Sequence, residues 1–318
     1  MDPEFNKGVF HGYLLKGDLT DAIGYLSLFP EKAELYQRYI SVFEKEAYSV
    51  FTEDNYLNEI LILYQKYYRD VFYLRMDKEE AEKAMQRRFA LFFGLPDPDI
   101  SFNDVEEHKI AEAFRAKAYH FLGGKTAGYW GPYIWKTTEE KTYDVELPAG
   151  RQSYQVNFVD GFISKGWLDF ISFGEIGTGG WTDGDGIIHC VKASYDLEDE
   201  SFTVSLLKHE AQHALDLAQY PDMSSGDLEY RAKLVELVYS NKRNLLLPFL
   251  QEADASNADN GHALAANRIA GGFIKRLDGN REKLHKLSID DIQSIAKALL
   301  QRSNEEIKAK YSRTEPSP

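Results

Sequence analysis

The hydrophobic pattern of the chain changes its period twice, and this constrains the fold more than any other feature. Residues 18–95 carry apolar side chains at three-to-four spacing, as in "YLNEILILYQKYYRDVFYLRM". From Lys141 to Tyr195 they fall in short alternating runs between glycines, such as "YQVNFV", "WLDFISFGEI" and "GIIHCVKASYDL". Helical spacing returns from Val204. We therefore predict a mostly helical α+β fold with a small antiparallel or mixed β-sheet in the middle.

Local boundary signals divide this pattern into segments. Asp18 or Thr20 is a candidate N-cap at the start of the first block, and Gly94 and Pro96 stop its last helix. After the β region we predict four helices, at 203–219, 227–245, 261–276 and 288–311, with Ser225 or Asp227 capping the second. The predicted parts are a helical N-terminal region at 1–125, a β-rich part at 126–200, a second helical part at 201–311 and a tail at 312–318. The first five residues, "MDPEF", resemble a cloning remnant.

Composition excludes several classes of protein. The chain has 37 basic and 51 acidic residues, hence a net charge of −14, which argues against a nucleic-acid partner or an anionic membrane surface. It has no apolar run long enough to span a bilayer. The single cysteine, Cys190, excludes an internal disulfide and a multi-cysteine zinc site. No signal peptide is visible, so a cytoplasmic location is slightly favoured over secretion, and the compartment stays open.

The stretch "KHEAQHALD", residues 208–216, carries two histidines four residues apart with a glutamate after the first. Residues at this spacing lie on one face of a helix, so His209 and His213 can offer two imidazole nitrogens to one zinc ion. Glu210 lies about 100° further round the helix, where a carboxylate can act as general base on an attacking water. The segment thus has the pattern H-E-x-x-H, which predicts a zinc site with one ion per chain.

A catalytic zinc site needs a third protein ligand. The metzincin pattern, which requires glycine at 216 and histidine at 219, fails because the chain has Asp216 and Gln219. A glutamate of the next helix, "SSGDLEYRAKLVELVYS", is the alternative. Glu229 is favoured because the small Ala232 follows three residues later, where two helices must pack closely. Glu236, on the same face, is either the ligand instead or a hydrogen-bond partner behind the ligands.

Residues 204–239 resemble the active-site core of the gluzincin metallopeptidases, the group that includes thermolysin-like enzymes. The resemblance covers about 36 residues, and H-E-x-x-H is its specific part; the Asn-Glu context of the thermolysin third ligand is missing. It implies His209, His213 and Glu229 as zinc ligands and Glu210 as general base. It also implies a zincin-like catalytic domain whose β-sheet precedes the active helix and holds the peptide on an edge strand. Either "FISFGEIGTGGW" or "GIIHCV" is the candidate edge strand.

Auxiliary groups are less well defined by the sequence. Asp216 is a candidate acceptor for the second ring nitrogen of His213. His262, at the start of a predicted helix, is the first candidate to stabilise a developing oxyanion, and Tyr239 and Tyr230 are the others.

These features predict a zinc-dependent metallopeptidase that acts on a peptide or protein substrate. A regulatory or partner-binding protein that keeps a zincin core with little proteolytic activity is the alternative. A helical scaffold without metal is the third possibility.

Overall fold

A computed structural model describes residues 4–96, 101–182, 185–253 and 260–311. The chain forms two compact units. Unit 1 contains Met1–Thr137 and Gly161–Thr178, and unit 2 contains Thr138–Asp160 and Gly179–Pro318. Residues 126–200, predicted to be one β-rich part, are therefore shared between the two units. The predicted tail at 312–318 and most of the "MDPEF" segment lie outside the described residues.

Helices make up most of both units, and the fold is mixed α+β as predicted. In unit 1 they are α1 Lys7–Leu15, α2 Leu19–Leu26, α3 Ala33–Tyr39, α4 Asn55–Tyr68, α5 Lys78–Phe92, α6 Phe102–Val105, α7 Ala111–Arg115 and α8 Gly166–Ile171. In unit 2 they are α9 Glu200–Thr203, α10 Leu207–Gln219, α11 Ser225–Tyr239, α12 Leu246–Glu252, α13 Gly261–Arg276 and α14 Ile289–Tyr311.

The strands form small sheets. They are β1 His120–Leu122, β2 Lys125–Thr126, β3 Tyr129–Trp130, β4 Tyr133–Trp135, β5 Thr137–Leu147, β6 Gly150–Asp160, β7 Ser164–Lys165, β8 Gly180–Thr182 and β9 Ile188–Val191. In unit 1, β1, β4 and β7 form an antiparallel sheet, and β2 pairs with β3. In unit 2 the order is β5-β6-β9-β8. This sheet is mixed, because β9 runs parallel to β6 and antiparallel to β8.

The core of unit 1 is rich in aromatic rings. Its fully buried aromatic side chains are Tyr39, Phe43, Tyr64, Tyr67, Phe72, Phe89 and Phe114. Asp54 and Asp77 cap α4 and α5 by accepting hydrogen bonds from backbone N–H groups of the first turn. The helical spacing predicted for residues 18–95 is thus confirmed, and the aromatic faces of these helices pack into one core.

Unit 2 is organised around α11. This helix packs against α10, α13 and α14, and ten of its fifteen residues are buried. A helix covered on several sides needs apolar residues around most of its circumference, as in "LVELV" at 234–238. The charged side chains that α11 also carries must therefore be paired or functional, because burial of an unpaired charge is costly.

Several predicted boundaries need correction. The helix predicted at 203–219 starts at Leu207, since α9 ends at Thr203, and the helix predicted at 227–245 ends at Tyr239. Ser224, rather than Ser225 or Asp227, caps α11. The helices predicted at 261–276 and 288–311 are confirmed.

The run "WLDFI", residues 167–171, forms most of α8 instead of a strand. Trp167 and Ile171, four residues apart, are both buried, and so short an apolar run fits either period.

Among the described residues, no helix has the length and apolar character needed to cross a membrane.

Candidate metal centre

His209 and His213 lie one turn apart on α10 and face the same way, as the spacing predicts. Their rings meet edge to face with centroids 4.6 Å apart. Both residues are buried, with 8% and 9% of their surface exposed. A helix that turns two imidazoles inward together is unusual for simple packing, since each ring then needs polar partners.

Glu229 of α11 faces the same two rings. Its Oε2 lies 3.4 Å from Nε2 of His209, and its Oε1 lies 3.4 Å from Nε2 of His213. The three possible ligand atoms are all within 4.8 Å of one another. Of the two glutamates that the sequence leaves open, Glu229 is therefore the one that meets the pair of Nε2 atoms.

The two 3.4 Å separations are close to those in a tetrahedral metal site. With ligand bonds near 2.0–2.1 Å, two ligands of a tetrahedron are about 3.3 Å apart. Each of the two 3.4 Å separations, one to each oxygen of Glu229, is close to that edge. Two imidazole nitrogens and a carboxylate are also the donor set that zinc prefers.

Glu236 supports the first histidine from behind. Its Oε1 lies 2.7 Å from Nδ1 of His209, and the carboxylate is 4% exposed. A proton on Nδ1 that is donated to this carboxylate leaves Nε2, on the side of Glu229, as the nitrogen that a metal ion would bind. Burial opposes a charged His209, but hydrogen bonds to Glu229 and Glu236 raise its pKa.

Two opposing effects act on the pKa of Glu229. Burial by itself would raise its pKa, but hydrogen bonds from His209, His213 and His262 hold the pKa well below the usual range. The carboxylate is therefore ionised at any ordinary pH, as a metal ligand must be.

The predicted pairing of Asp216 with His213 is wrong. Nδ1 of His213 is buried and has no hydrogen-bond partner in the described part of the chain. Asp216 instead accepts a hydrogen bond of 2.7 Å from Nε of Arg231 on α11. Arg231 also donates to Asn304 of α14 at 2.8 Å. The buried guanidinium takes the carboxylate because an unpaired charge at this depth would be far less stable than an unpaired ring nitrogen.

Glu210 is held by a residue that the sequence does not reveal. Its Oε2 accepts a hydrogen bond of 2.7 Å from the hydroxyl of Thr182, which also lies 3.2 Å from the backbone oxygen of Glu210. Thr182 is the last residue of β8, and no local pattern marks it before the fold brings β8 next to α10.

The strand β8 is the edge of the unit 2 sheet, next to α10. Of the two predicted candidates, "GIIHCV" is wrong because β9 is internal, between β6 and β8. Only the end of "FISFGEIGTGGW" reaches the edge. A side chain at Gly180 would meet the backbone oxygen of His189 and the side chain of Leu206 at 2.5 Å, so glycine permits this close packing.

His262 lies beside Glu229. Its Nδ1 is 3.0 Å from Oε2 of Glu229, and its side chain is 56% exposed at the start of α13. The two tyrosine candidates have other surroundings. The guanidinium of Arg268 lies over the ring of Tyr230, and the ammonium of Lys208 lies over the ring of Tyr239. The structure thus brings His262 to the site.

Tyr195 is a neighbour that sequence reasoning missed. Burial, together with the charges of Cys190, Glu210 and Glu236, raises the pKa of its phenol to about 12. The hydroxyl therefore stays protonated and lies within electrostatic reach of the carboxylates of Glu210 and Glu236.

Comparisons of the chain with models of protein families, with curated proteins and with solved structures give no match.

Proposed function

We propose that the chain is a zinc-dependent metallopeptidase with a zincin-like catalytic core in unit 2. The observation that carries this proposal is the meeting of His209, His213 and Glu229, whose possible ligand atoms lie within 4.8 Å of one another. A glutamate directly after the first histidine completes the set of groups that peptide hydrolysis requires.

Zinc held by these three side chains would polarise a substrate carbonyl and acidify the attacking water. Glu210 takes the proton from that water and then passes it to the leaving amine. The hydroxyl of Thr182 holds one oxygen of the Glu210 carboxylate in place, and the other oxygen is free to take the proton. His262, exposed beside Glu229, donates to the oxyanion that develops on the carbonyl oxygen.

The substrate is a peptide or protein. An extended segment of it adds to the edge strand β8, where backbone hydrogen bonds place the scissile bond next to α10. This arrangement explains why the residue that restrains the base lies at the end of the same strand.

Metal analysis and a peptide library test the proposal together. The purified chain is expected to hold one zinc ion. Mass spectrometry should show that His213→Ala and Glu229→Gln have lost this ion. His108→Ala, which alters an exposed histidine of unit 1, is the matched control and should retain the metal. Glu210→Gln should keep its zinc and lose cleavage of the library.

The outcomes separate the three interpretations. Zinc without any cleavage points to a regulatory or partner-binding protein with a zincin core. A chain that takes up no zinc is a helical scaffold. Full metal-dependent hydrolysis by Glu210→Gln would show that the base is another residue.

A further inference from the structure

Unit 1 contains a cavity of about 200 Å³ that has no part in the metal centre. Its walls come from α4, from the end of α3, from β7 with α8, and from the extended segment before α4. An apolar cavity of about 150 Å³ is enough to admit benzene, so this one has room for a ring with a short substituent. The rings of Phe51, Phe170 and Phe173 line it.

The extended wall is fixed by two buried amides of α4. Gln65 bonds both backbone groups of Ser49, accepting from its N–H at 2.9 Å and donating to its carbonyl at 2.8 Å. Asn58 accepts from the N–H of Phe51 and donates to the carbonyl of Thr52. Side chains that are 2% and 5% exposed thus replace a neighbouring strand. The cavity is therefore preformed, which is typical of ligand sites.

The opposite wall depends on a strained residue. Phe173 has φ of +53°, at the position after α8 where helices usually place glycine. A bulky side chain in this conformation costs about 1 kcal/mol, and such strain is concentrated at functional positions. Its ring contacts that of Tyr39 at 4.5 Å and faces the cavity.

The charge of the lining is positive, although the chain carries −14. The charged lining residues are Arg38, Lys165 and Asp169, so two cations and one anion leave +1. Lys165 pairs with Asp169 at 2.8 Å. The guanidinium of Arg38 stacks on Phe173 at 3.9 Å and has neither a carboxylate nor a hydrogen-bond partner within the described ranges.

We propose that this cavity binds a small carboxylate with an aromatic or short aliphatic body. The apolar body contacts the phenylalanine rings, and the carboxylate pairs with Arg38, whose fork of donors matches its two oxygens. This site is independent of the proposed peptidase activity, because all its residues lie in unit 1.

Hydrocinnamate, a phenyl ring with a three-carbon acid, is the probe, and its neutral amide is the matched ligand. Titrations of the full chain are followed by fluorine NMR with ring-fluorinated versions of both. We expect the acid to bind with a Kd on the order of 1 mM or tighter. Because Arg38 is exposed, Arg38→Gln should weaken binding of the acid about five- to tenfold and leave binding of the amide unchanged.

Phe51→Ala tests the apolar part, since Phe51 is 43% exposed and its truncation is expected to cost the fold little stability. It should weaken binding of the acid and of the amide alike. Arg87→Gln and Leu91→Ala, which alter an exposed arginine and an exposed leucine away from the lining, should change neither. Amide binding by Arg38→Gln also reports that the cavity is intact. The proposal is overturned if the acid shows no saturable binding, or if Arg38→Gln binds it as tightly as the unchanged chain.

Discussion

Nδ1 of His209 lies 2.7 Å from Oε1 of Glu236, seven residues beyond the carboxylate that meets Nε2 of the same ring. Two glutamates of α11 therefore hold the two nitrogens of one imidazole. One carboxylate is a candidate metal ligand, and the other selects the ring tautomer that a metal ligand needs.

Loss of the charge behind His209 should weaken the metal site. Glu236→Gln keeps an oxygen acceptor but removes the negative charge, so we expect zinc affinity to fall about 10- to 100-fold. Competition with a zinc chelator of known affinity measures this. Glu305→Gln, an exposed change on α14, is the control. Equal affinities in both variants would mean that Glu236 has only a packing role.

The hydroxyl of Thr182 should matter for turnover and not for metal content. Thr182→Val keeps the side-chain shape and removes the donor to Glu210, so kcat should fall about five- to tenfold through loss of orientation. Thr182→Ser should restore most of it. Zinc content of all three proteins should be the same, and a loss of zinc in Thr182→Val would contradict this role.

The buried pair of Arg231 and Asp216 should be costly to break on one side only. Arg231→Met leaves Asp216, which is 1% exposed, without a countercharge and should destabilise the chain by about 3–5 kcal/mol. Asp216→Leu combined with Arg231→Met should recover most of that loss, since no charge then remains buried. Urea unfolding measures both. Arg302→Met, which breaks an exposed pair with Glu306, should change stability by less than about 1 kcal/mol.

Glu106 should give unit 1 a distinct pH dependence. Burial raises its pKa to about 7, although hydrogen bonds from Tyr64 and from the N–H of Gly124 oppose the shift. Between pH 4.5 and about 7 the unfolded chain has lost this proton while the folded chain keeps it. The free energy of unfolding therefore falls as pH rises, by up to about 3 kcal/mol in all.

Unfolding of Glu106→Gln isolates this effect from other titrating groups. The stability of the unchanged chain relative to this variant should fall as pH rises through that window and be constant above it. Glu107→Gln, at the exposed neighbouring position, should show no such trend. A pH-independent difference for Glu106→Gln would contradict the raised pKa.

Asp227 should hold the end of α14 against the start of α11. Its carboxylate accepts hydrogen bonds from Arg268 at 2.6 Å, Lys310 at 2.6 Å and Tyr311 at 2.8 Å. Asp227→Asn should speed amide hydrogen exchange in the last turn of α14 by about tenfold or more, because local opening then breaks weaker contacts. Asp290→Asn, exposed at the other end of α14, should leave that turn unchanged.

The sequence alone was sufficient where chemistry depends on neighbours within one helix. His209, Glu210 and His213 form a pattern whose geometry follows from the helical repeat, and α13 and α14 begin and end close to where the apolar spacing predicts. The α+β class followed from the change in hydrophobic period along the chain, which is also a local property of the sequence.

Tertiary structure decided every contact between elements. Glu229 and Glu236 lie on one face of α11, and only the packing of α10 against α11 determined which of them meets the two Nε2 atoms. The partner of Asp216 depended on Arg231, and that of Glu210 on Thr182, 28 residues away in the chain. Hydrogen bonds between distant residues leave no periodic trace in a sequence, because their geometry is set by packing and not by the backbone repeat.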